Sequence, residues 1–251
     1  HAKRVIAVGC FCIGTNQVDL DAAEKLGVPV FNAPFSNTRS VAELVIGEIV
    51  MLLRRIPGRS VSAHAGGWDK SANDSHEVRG KTLGIVGYGN IGSQLSYLAE
   101  AMGMRVVFYD HTDKLRHGNT EPCGSLHELL AQSDVVSLHV PLTPATANLL
   151  DAARLARLKR GAVVVNTARG GLVDEAALAA ALAEGHIAAA ALDVFSPEPP
   201  GDSPLWSAPG FLATSHIGGS ALEAQLAMGR AAIEGLTSAT DPESFIPPWA
   251  K

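Results

Sequence analysis

The chain has 251 residues, of which 47% are hydrophobic, so it is long enough to bury a substantial core in one large or two modest domains. Its formal net charge is -5 and it has no block of lysine or arginine, which argues against nucleic acid as a partner. No apolar run approaches the roughly 18 residues of a membrane span. These features favour a soluble globular protein.

Three cysteines are scattered along the chain, at Cys10, Cys12 and Cys123. A small odd number of cysteines is typical of proteins from a reducing compartment, so we expect a cytoplasmic protein without disulfides. The region around Cys10 and Cys12 supplies too few further ligands for zinc, and we expect no metal site.

The first block alternates strand and helix patterns. We expect strands at Val5 to Val8 and Val28 to Phe31 on either side of a helix from Asp19 to Leu26. A long helix from Val41 to Leu53 follows, and a second helix or loop runs from Ser60 to Trp68. Because the chain enters a buried-type strand almost at once, we expect this block to be part of a larger α/β domain.

From Lys81 onward the alternation becomes regular. Strands are expected at Leu83 to Val86, Arg105 to Tyr109, Val135 to His139, Ala162 to Asn166, Ala189 to Val194 and Phe211 to Thr214. Helices are expected at Ile91 to Ala101, Ser125 to Gln132, Ala152 to Leu158, Glu175 to Glu184 and Ala221 to Ser238. This alternation predicts an α/β fold with a doubly wound, Rossmann-type parallel sheet, which binds ligands beyond the carboxyl ends of its strands.

A glycine motif from Gly87 to Gly92 follows the strand Leu83 to Val86 and opens a helix. The next strand ends on Asp110. Strand, glycine turn, helix, strand and acid together are the signature of a dinucleotide-binding unit. Asp110 would accept hydrogen bonds from both ribose hydroxyls and repel a 2'-phosphate, so we expect NAD rather than NADP.

The three glycines of this motif have different structural roles. Gly87 lets the chain turn tightly, Gly89 removes the Cβ that would block a pyrophosphate, and Gly92 lets the helix approach the sheet. The N–H groups and the positive dipole end of the helix that starts near Asn90 then face the phosphates.

Polar residues follow several of the later strands. Arg169, Glu198 and His216 all lie in segments at the expected carboxyl ends, beside the site of a nicotinamide. One arginine, one glutamate and one histidine are the groups needed to move a hydride and a proton between a 2-hydroxy acid and a dinucleotide.

The order of these segments resembles the D-isomer-specific 2-hydroxyacid dehydrogenase family, over about Val5 to Gly235. Residues 10–23 (CFCIGTNQVDLDAA) and 31–48 (FNAPFSNTRSVAELVIGE) resemble the branch of that family formed by the bacterial D-3-phosphoglycerate dehydrogenases. In that branch the part of the chain before the equivalent of Val5 carries the arginines that hold the substrate phosphate.

The resemblance implies roles for the three polar residues. His216 would be the general acid/base, Glu198 would orient the imidazole and stabilise its charged form, and Arg169 would clamp the substrate carboxylate. The implied reaction is NAD-dependent oxidation of D-3-phosphoglycerate to 3-phosphohydroxypyruvate, the first step of phosphorylated L-serine biosynthesis. Two alternatives stay open: a glyoxylate, hydroxypyruvate or D-lactate type enzyme, and a non-catalytic NAD-binding interaction module.

The resemblance also implies binding residues. Cofactor contacts are expected at Gly87, Gly89, Asn90, Ile91, Gly92, Asp110, His139, Val140, Pro141, Thr167, Ala168, Arg169, Asp193, His216, Gly218 and Gly219. Substrate contacts are expected at Cys12, Ile13, Gly14, Asn37 and Arg169.

The domain organisation is expected to have three parts. Residues 1–72 would form a truncated, flavodoxin-like substrate domain with an interdomain and dimerisation helix, and residues 73–220 the NAD-binding domain. Residues 221–251 would be a helix that returns to the substrate domain, with an irregular tail. We expect a homodimer or homotetramer, supported by the helix Val41 to Leu53 and the Trp68 segment.

Overall fold

A computed structural model describes residues 5–15 and 17–238 of the chain. In chain order the elements are β1 Val8–Gly9, α1 Leu20–Lys25, β2 Val30–Phe31, α2 Thr38–Leu53, α3 Ile56–His64, β3 Thr82–Val86, α4 Asn90–Ala101, β4 Arg105–Tyr109, β5 Glu121–Pro122, α5 Leu126–Gln132, β6 Val135–Leu138, α6 Ala152–Leu155, β7 Ala162–Asn166, α7 Glu175–Ala183, β8 Ile187–Leu192, a 3-10 helix Pro204–Ser207, β9 Phe211–Ala213 and α8 Leu222–Thr237. The chain divides into two compact units, one comprising the residues up to Ser40 and from Gly219 onward, the other Val41–Gly218.

The first unit is built on a short parallel pair of strands, in which Val8 of β1 is opposite Val30 of β2. Helix α8 packs on this pair through small residues. A Cβ on Gly9 would meet the Leu236 side chain at 2.8 Å, and one on Gly235 would meet Phe31 at 2.8 Å. Glycine at each position therefore allows the helix and the strands to approach closely.

The second unit contains a seven-stranded sheet in the order β5-β4-β3-β6-β7-β8-β9. Its strand pairs are all parallel, as in Leu83 opposite Val106 and Val135. The strand order reverses between β3 and β6, which is the switch point of a doubly wound fold. The expected Rossmann-type sheet is confirmed.

Alternate strand residues enter different cores on the two faces of the sheet. Along β7, Val163 and Val165 join one apolar cluster and Val164 joins the other. Helices α2 and α4 contribute to the first cluster, and α5 and α7 to the second. A strand buried on both faces reads as a continuous apolar run, which is why these strands were predictable.

Most predicted elements are present, with shifts at their ends. The first strand is Val8–Gly9 rather than Val5 to Val8, and β8 begins at Ile187 rather than Ala189. Helix α3 begins at Ile56, well before the predicted Ser60, because Pro57 lies in its first turn, where a missing N–H costs nothing. The two-residue edge strand β5 was not predicted. The expected irregular tail lies outside the described residues.

Helix α2 is a core helix of the chain itself. Val45 and Ile49 are completely buried and Leu52 is 4% exposed. The apolar face of α2 is therefore buried within this unit. No helix in the described part of the chain is long and apolar enough to cross a membrane.

Candidate active site

The glycine loop lies directly after β3, at the switch point of the sheet. Gly87 has a φ of 94°, and a Cβ there would overlap the backbone carbonyl of His139. A Cβ on Gly92 would overlap the carbonyl of Gly87. Gly89 differs from both, because a Cβ there would meet no atom within 4 Å among the described residues. Two glycines are thus required by packing, and the third leaves open space in front of α4.

Asp110 follows β4 and faces this loop. Its Oδ2 accepts the Tyr88 N–H at 2.9 Å, and its Oδ1 accepts the N–H and hydroxyl of Thr112, each at 3.0 Å. Although burial alone would raise the pKa of Asp110, these hydrogen bonds and Lys114 hold it below the usual value. The side chain is thus kept as an anion beside the loop.

Two further strand ends contribute polar atoms. His139 follows β6, its Nε2 lies 2.8 Å from the Ser137 hydroxyl, and burial lowers its pKa to about 4, so the ring is neutral. The His139 Nδ1 and the Thr167 hydroxyl after β7 are buried and lack a hydrogen-bond partner among the described residues. Buried polar atoms without partners are uncommon, and these two, at the ends of neighbouring strands, are available to a ligand that binds at this edge of the sheet.

The carboxylate of Asp193, which follows β8, organises the next loop. Its Oδ1 accepts the Thr214 hydroxyl at 2.6 Å and the Ile217 N–H at 2.8 Å, and its Oδ2 accepts the Gly218 N–H at 2.7 Å. The backbone carbonyl of Asp193 accepts the His216 N–H at 2.8 Å. Asp193 is 1% exposed, so these bonds are shielded from water and fix residues 214–218.

His216 and Glu198 form a hydrogen-bonded pair. The His216 Nδ1 lies 2.7 Å from Glu198 Oε2, and Glu198 Oε1 accepts the Phe195 N–H at 2.9 Å. Burial alone would raise the pKa of Glu198, but the hydrogen bonds from His216 and Phe195 lower it. An anionic Glu198 directs the Nδ1 proton toward itself and leaves His216 Nε2 available for proton transfer.

His216 adopts a backbone conformation that L-residues rarely use, with a φ of 56°. The surrounding hydrogen bonds to Asp193 hold the loop in this conformation. Such a φ often marks a functional position, because structure around it must compensate the strain. The side chain is half exposed and lines a cavity of about 730 Å³, together with Glu198, Phe195 and Trp206.

Arg169 lies in the turn after β7, where Asn166 fixes the backbone. The Asn166 amide donates to the Arg169 carbonyl at 2.9 Å, and its oxygen accepts the Ala168 N–H at 3.0 Å. A Cβ on Gly170 would overlap the carbonyl of Phe195, so this turn lies against the segment that leads to Glu198. The exposed guanidinium also helps to lower the pKa of Glu198. The sheet thus brings Arg169, Glu198 and His216 together.

These residues fit a dinucleotide. Open space over Gly89 lies at the start of α4, and the first N–H groups of that helix, from Asn90 and Ile91, suit a pyrophosphate. Asp110 would hold the ribose, and Val140, which packs on Gly87, and Pro141 continue the same edge of the sheet. The partnerless Thr167 hydroxyl, Ala168 and Asp193 lie farther along it, at the ends of β7 and β8.

The predicted substrate residues Cys12, Ile13, Gly14 and Asn37 lie in the first unit. The Ile13 carbonyl accepts the Asn32 amide at 2.7 Å, and the Cys12 carbonyl accepts the Ala33 N–H at 3.0 Å, so this bend is fixed by the chain after β2. Asn37 lies against Gly219, since a Cβ on that glycine would meet Asn37 Nδ2 at 2.7 Å. The roles of these residues stay predictions.

Two residues beside Asp193 were not identified from the sequence. Thr214 donates to the Asp193 carboxylate, and Glu48 is a completely buried carboxyl group that acts electrostatically on it. The spacing of Val41, Val45, Glu48 and Leu52 on one helix face was a usable signal, because it places an acid among core residues.

Comparison with known proteins shows the family. Residues 46–218 match the model of the family described as D-isomer specific 2-hydroxyacid dehydrogenase, NAD binding domain. The chain belongs to this family. It therefore carries an NAD-binding domain, as the glycine motif and Asp110 predicted, and the resemblance seen in the sequence is confirmed.

Individual relatives agree with this assignment. The chain is 58% identical to a D-3-phosphoglycerate dehydrogenase of Haemophilus influenzae, over 91% of this chain and 57% of the relative. It thus spans little more than half of that protein. Among solved structures, the chain is similar to a glyoxylate reductase of Paecilomyes thermophila, with a TM-score of 0.87 and 33% identity. The matched region covers 98% of this chain and 76% of the reductase chain. A Staphylococcus aureus NAD-dependent formate dehydrogenase in complex with NAD has a TM-score of 0.83 at 33% identity, covering 94% and 74%.

We expect Gly89→Ala to weaken NAD binding by about tenfold or more, equivalent to about 1.4 kcal/mol, because a methyl group would occupy the pyrophosphate space. Its melting temperature should stay near that of the wild type, since Gly89 has a φ of -86° and open space beside it. Calorimetric titration with NAD and thermal melting measure the two effects.

Gly92→Ala is the matched control. Its Cβ would overlap the Gly87 carbonyl, so it should lower the melting temperature as well as binding. Unchanged NAD affinity in Gly89→Ala would show that the pyrophosphate does not lie over this glycine.

Proposed function

We propose that the protein oxidises D-3-phosphoglycerate to 3-phosphohydroxypyruvate with NAD, the first step of phosphorylated L-serine biosynthesis. The observation that carries this proposal is the 58% identity to a D-3-phosphoglycerate dehydrogenase of Haemophilus influenzae, sustained over 91% of the chain. The arrangement of Arg169, Glu198 and His216 at one edge of the sheet supports it.

In this proposal His216 is the general base. Its Nδ1 is engaged by Glu198 at 2.7 Å, so Nε2 takes the proton from the C2 hydroxyl as the hydride leaves C2. Bound NAD supplies the hydride acceptor. Glu198 stabilises the imidazolium that forms, because its carboxylate already accepts the Nδ1 proton. In the reverse direction the same nitrogen returns the proton to the carbonyl oxygen.

Arg169 binds the substrate carboxylate in this account. A guanidinium offers two parallel N–H donors to a carboxylate, and its charge also polarises the developing C2 carbonyl. Its position in the turn fixed by Asn166 supports this role, since the turn lies against the segment that leads to Glu198.

A second candidate is oxidation or reduction of another D-2-hydroxy acid pair by the same groups. It is favoured by the similarity to the glyoxylate reductase of Paecilomyes thermophila, whose TM-score is 0.87. None of the three polar groups distinguishes a phosphorylated substrate from an unphosphorylated one, because each acts on C1 or C2.

Steady-state NADH formation tests the proposal with D-3-phosphoglycerate, D-glycerate and D-lactate as substrates. We expect turnover of D-3-phosphoglycerate, and a loss of about 10² to 10⁴ in kcat in His216→Ala, the usual contribution of a general base. His127→Ala is a matched control, because that histidine is exposed on α5 and should leave kcat unchanged.

Other outcomes separate the alternatives. Turnover of D-glycerate or D-lactate without turnover of D-3-phosphoglycerate would favour the second candidate. NAD binding without oxidation of any of these acids would contradict both and indicate a binding module.

We also propose a cytoplasmic homodimer or homotetramer. Two large apolar side chains after α2 support an interface there, since Val61 is 73% and Trp68 is 83% exposed. Exposed apolar groups of this size are characteristic of association surfaces. We expect Trp68→Glu to shift the protein toward the monomer in sedimentation velocity without lowering its melting temperature. An unchanged sedimentation coefficient would place the interface elsewhere.

A further inference from the structure

A carboxyl group without a hydrogen-bond partner is buried behind the loop of His216. Glu48 of α2 is completely buried, and neither of its oxygens has a hydrogen-bond partner among the described residues. Leaving an acid in this state is costly, whereas an apolar residue of similar size would pack there without cost. The reaction as derived above makes no use of Glu48.

The surroundings of Glu48 determine its charge state. Burial, and after it the negative charge of Asp193, raise the pKa of Glu48, whereas the nearby Thr214 hydroxyl, whose own hydrogen bond goes to Asp193, lowers it; the net pKa is about 8. Glu48 is therefore a neutral acid at pH 7 and carries a proton that it can donate. Asp193 is the charged group that acts on it, and within the described part of the chain no cation contributes to the shift of its pKa.

Asp193 can accept one more hydrogen bond. A carboxylate offers about four acceptor positions, and the described contacts of Asp193 use three, with Thr214, Ile217 and Gly218 as donors. Helix α2 packs against the loop beside this carboxylate, since a Cβ on Gly218 would lie 3.1 Å from Asp193 Oδ2 and 3.4 Å from the Val41 side chain.

We propose that Glu48 is a positioning residue whose neutral carboxyl group donates its proton to the Asp193 carboxylate and so holds the loop that carries His216. This inference rests on the proposed function, because it concerns the placement of the general base. Loss of the proton would leave two buried negative charges that repel each other, and this repulsion would displace residues 214–218.

Two substitutions separate this role from simple packing. Glu48→Gln keeps a neutral donor of the same shape, whereas Glu48→Leu keeps the volume but donates nothing. We expect kcat/KM and NAD affinity to fall about tenfold in Glu48→Leu, the loss associated with one buried hydrogen bond to a charged group, and to stay within about threefold in Glu48→Gln. The Leu variant should melt no lower than the wild type, so its defect would not come from unfolding.

The pH profile gives a second readout. In the wild type, kcat should decline as the pH passes about 8 and Glu48 ionises; in Glu48→Gln this decline should be absent. The other ionisable side chains near the loop, Asp193, Glu198 and His216, are common to both proteins, so the difference between the profiles reports Glu48.

The pH dependence of thermal stability tests the ionisation of Glu48 without an activity assay. A carboxyl whose pKa rises on folding from 4.5 to about 8 keeps a proton that the unfolded chain has released, so stability falls as pH rises through this window. The gain in melting temperature of Glu48→Gln over the wild type should therefore grow between pH 5 and about pH 8, and Ile49→Val, a buried control on the same helix, should show no such trend.

The outcomes distinguish failure of the proposed function from failure of the proposed role of Glu48. A wild type that turns over no hydroxy acid would overturn the proposed function, while the melting curves would still test the ionisation of Glu48. If the wild type is active and Glu48→Leu equals it in kcat/KM and NAD affinity, the positioning role is wrong. Equal losses in the Gln and Leu variants would also contradict it.

Discussion

The arrangement of the candidate site depends on the buried carboxylate of Asp193. This group follows β8 and accepts three hydrogen bonds from residues 214–218, while its backbone carbonyl accepts the His216 N–H. Hydrogen bonds to a buried charge are strong and expensive to break, so they can hold His216 in an unfavourable backbone conformation. In that conformation the imidazole Nδ1 of His216 lies 2.7 Å from Glu198 Oε2.

The sheet topology explains why distant residues converge. Strands β3, β6, β7 and β8 are parallel neighbours, so their carboxyl ends lie at one edge. The glycine loop, His139, Arg169 and Asp193 follow these four strands in that order. A dinucleotide bound along this edge would have its pyrophosphate at the switch point and its nicotinamide at the ends of the later strands.

Much of this arrangement could be predicted from the sequence. Strands β4 and β7 have the predicted bounds because their apolar residues, 106–108 and 162–165, form continuous runs that are buried on both faces of the sheet. The edge strand β5 could not be predicted, since its two residues are a glutamate and a proline with no apolar pattern. The candidate catalytic groups, Arg169, Glu198 and His216, could be proposed because they follow strands of the sheet and match the family that the sequence resembles.

The partners of those groups could not be derived in the same way. Thr214 donates to Asp193 across 21 positions of sequence, and only the folded chain shows that it does. The sequence shows Glu48 as an acid in an apolar run, but its role depends on the nearby Asp193, which only the folded structure reveals. A residue that acts on substrate can be recognised from its chemical type. A residue that only positions another side chain can be recognised only from its place in the folded structure.

The most direct test of this account is amide hydrogen exchange at Ile217 and Gly218, measured by NMR on the protein without substrate. The account predicts strong protection at both amides, because each donates to a carboxylate that is 1% exposed. Exchange at the rate of an open loop would contradict it, since the His216 loop would then have no fixed anchor on Asp193.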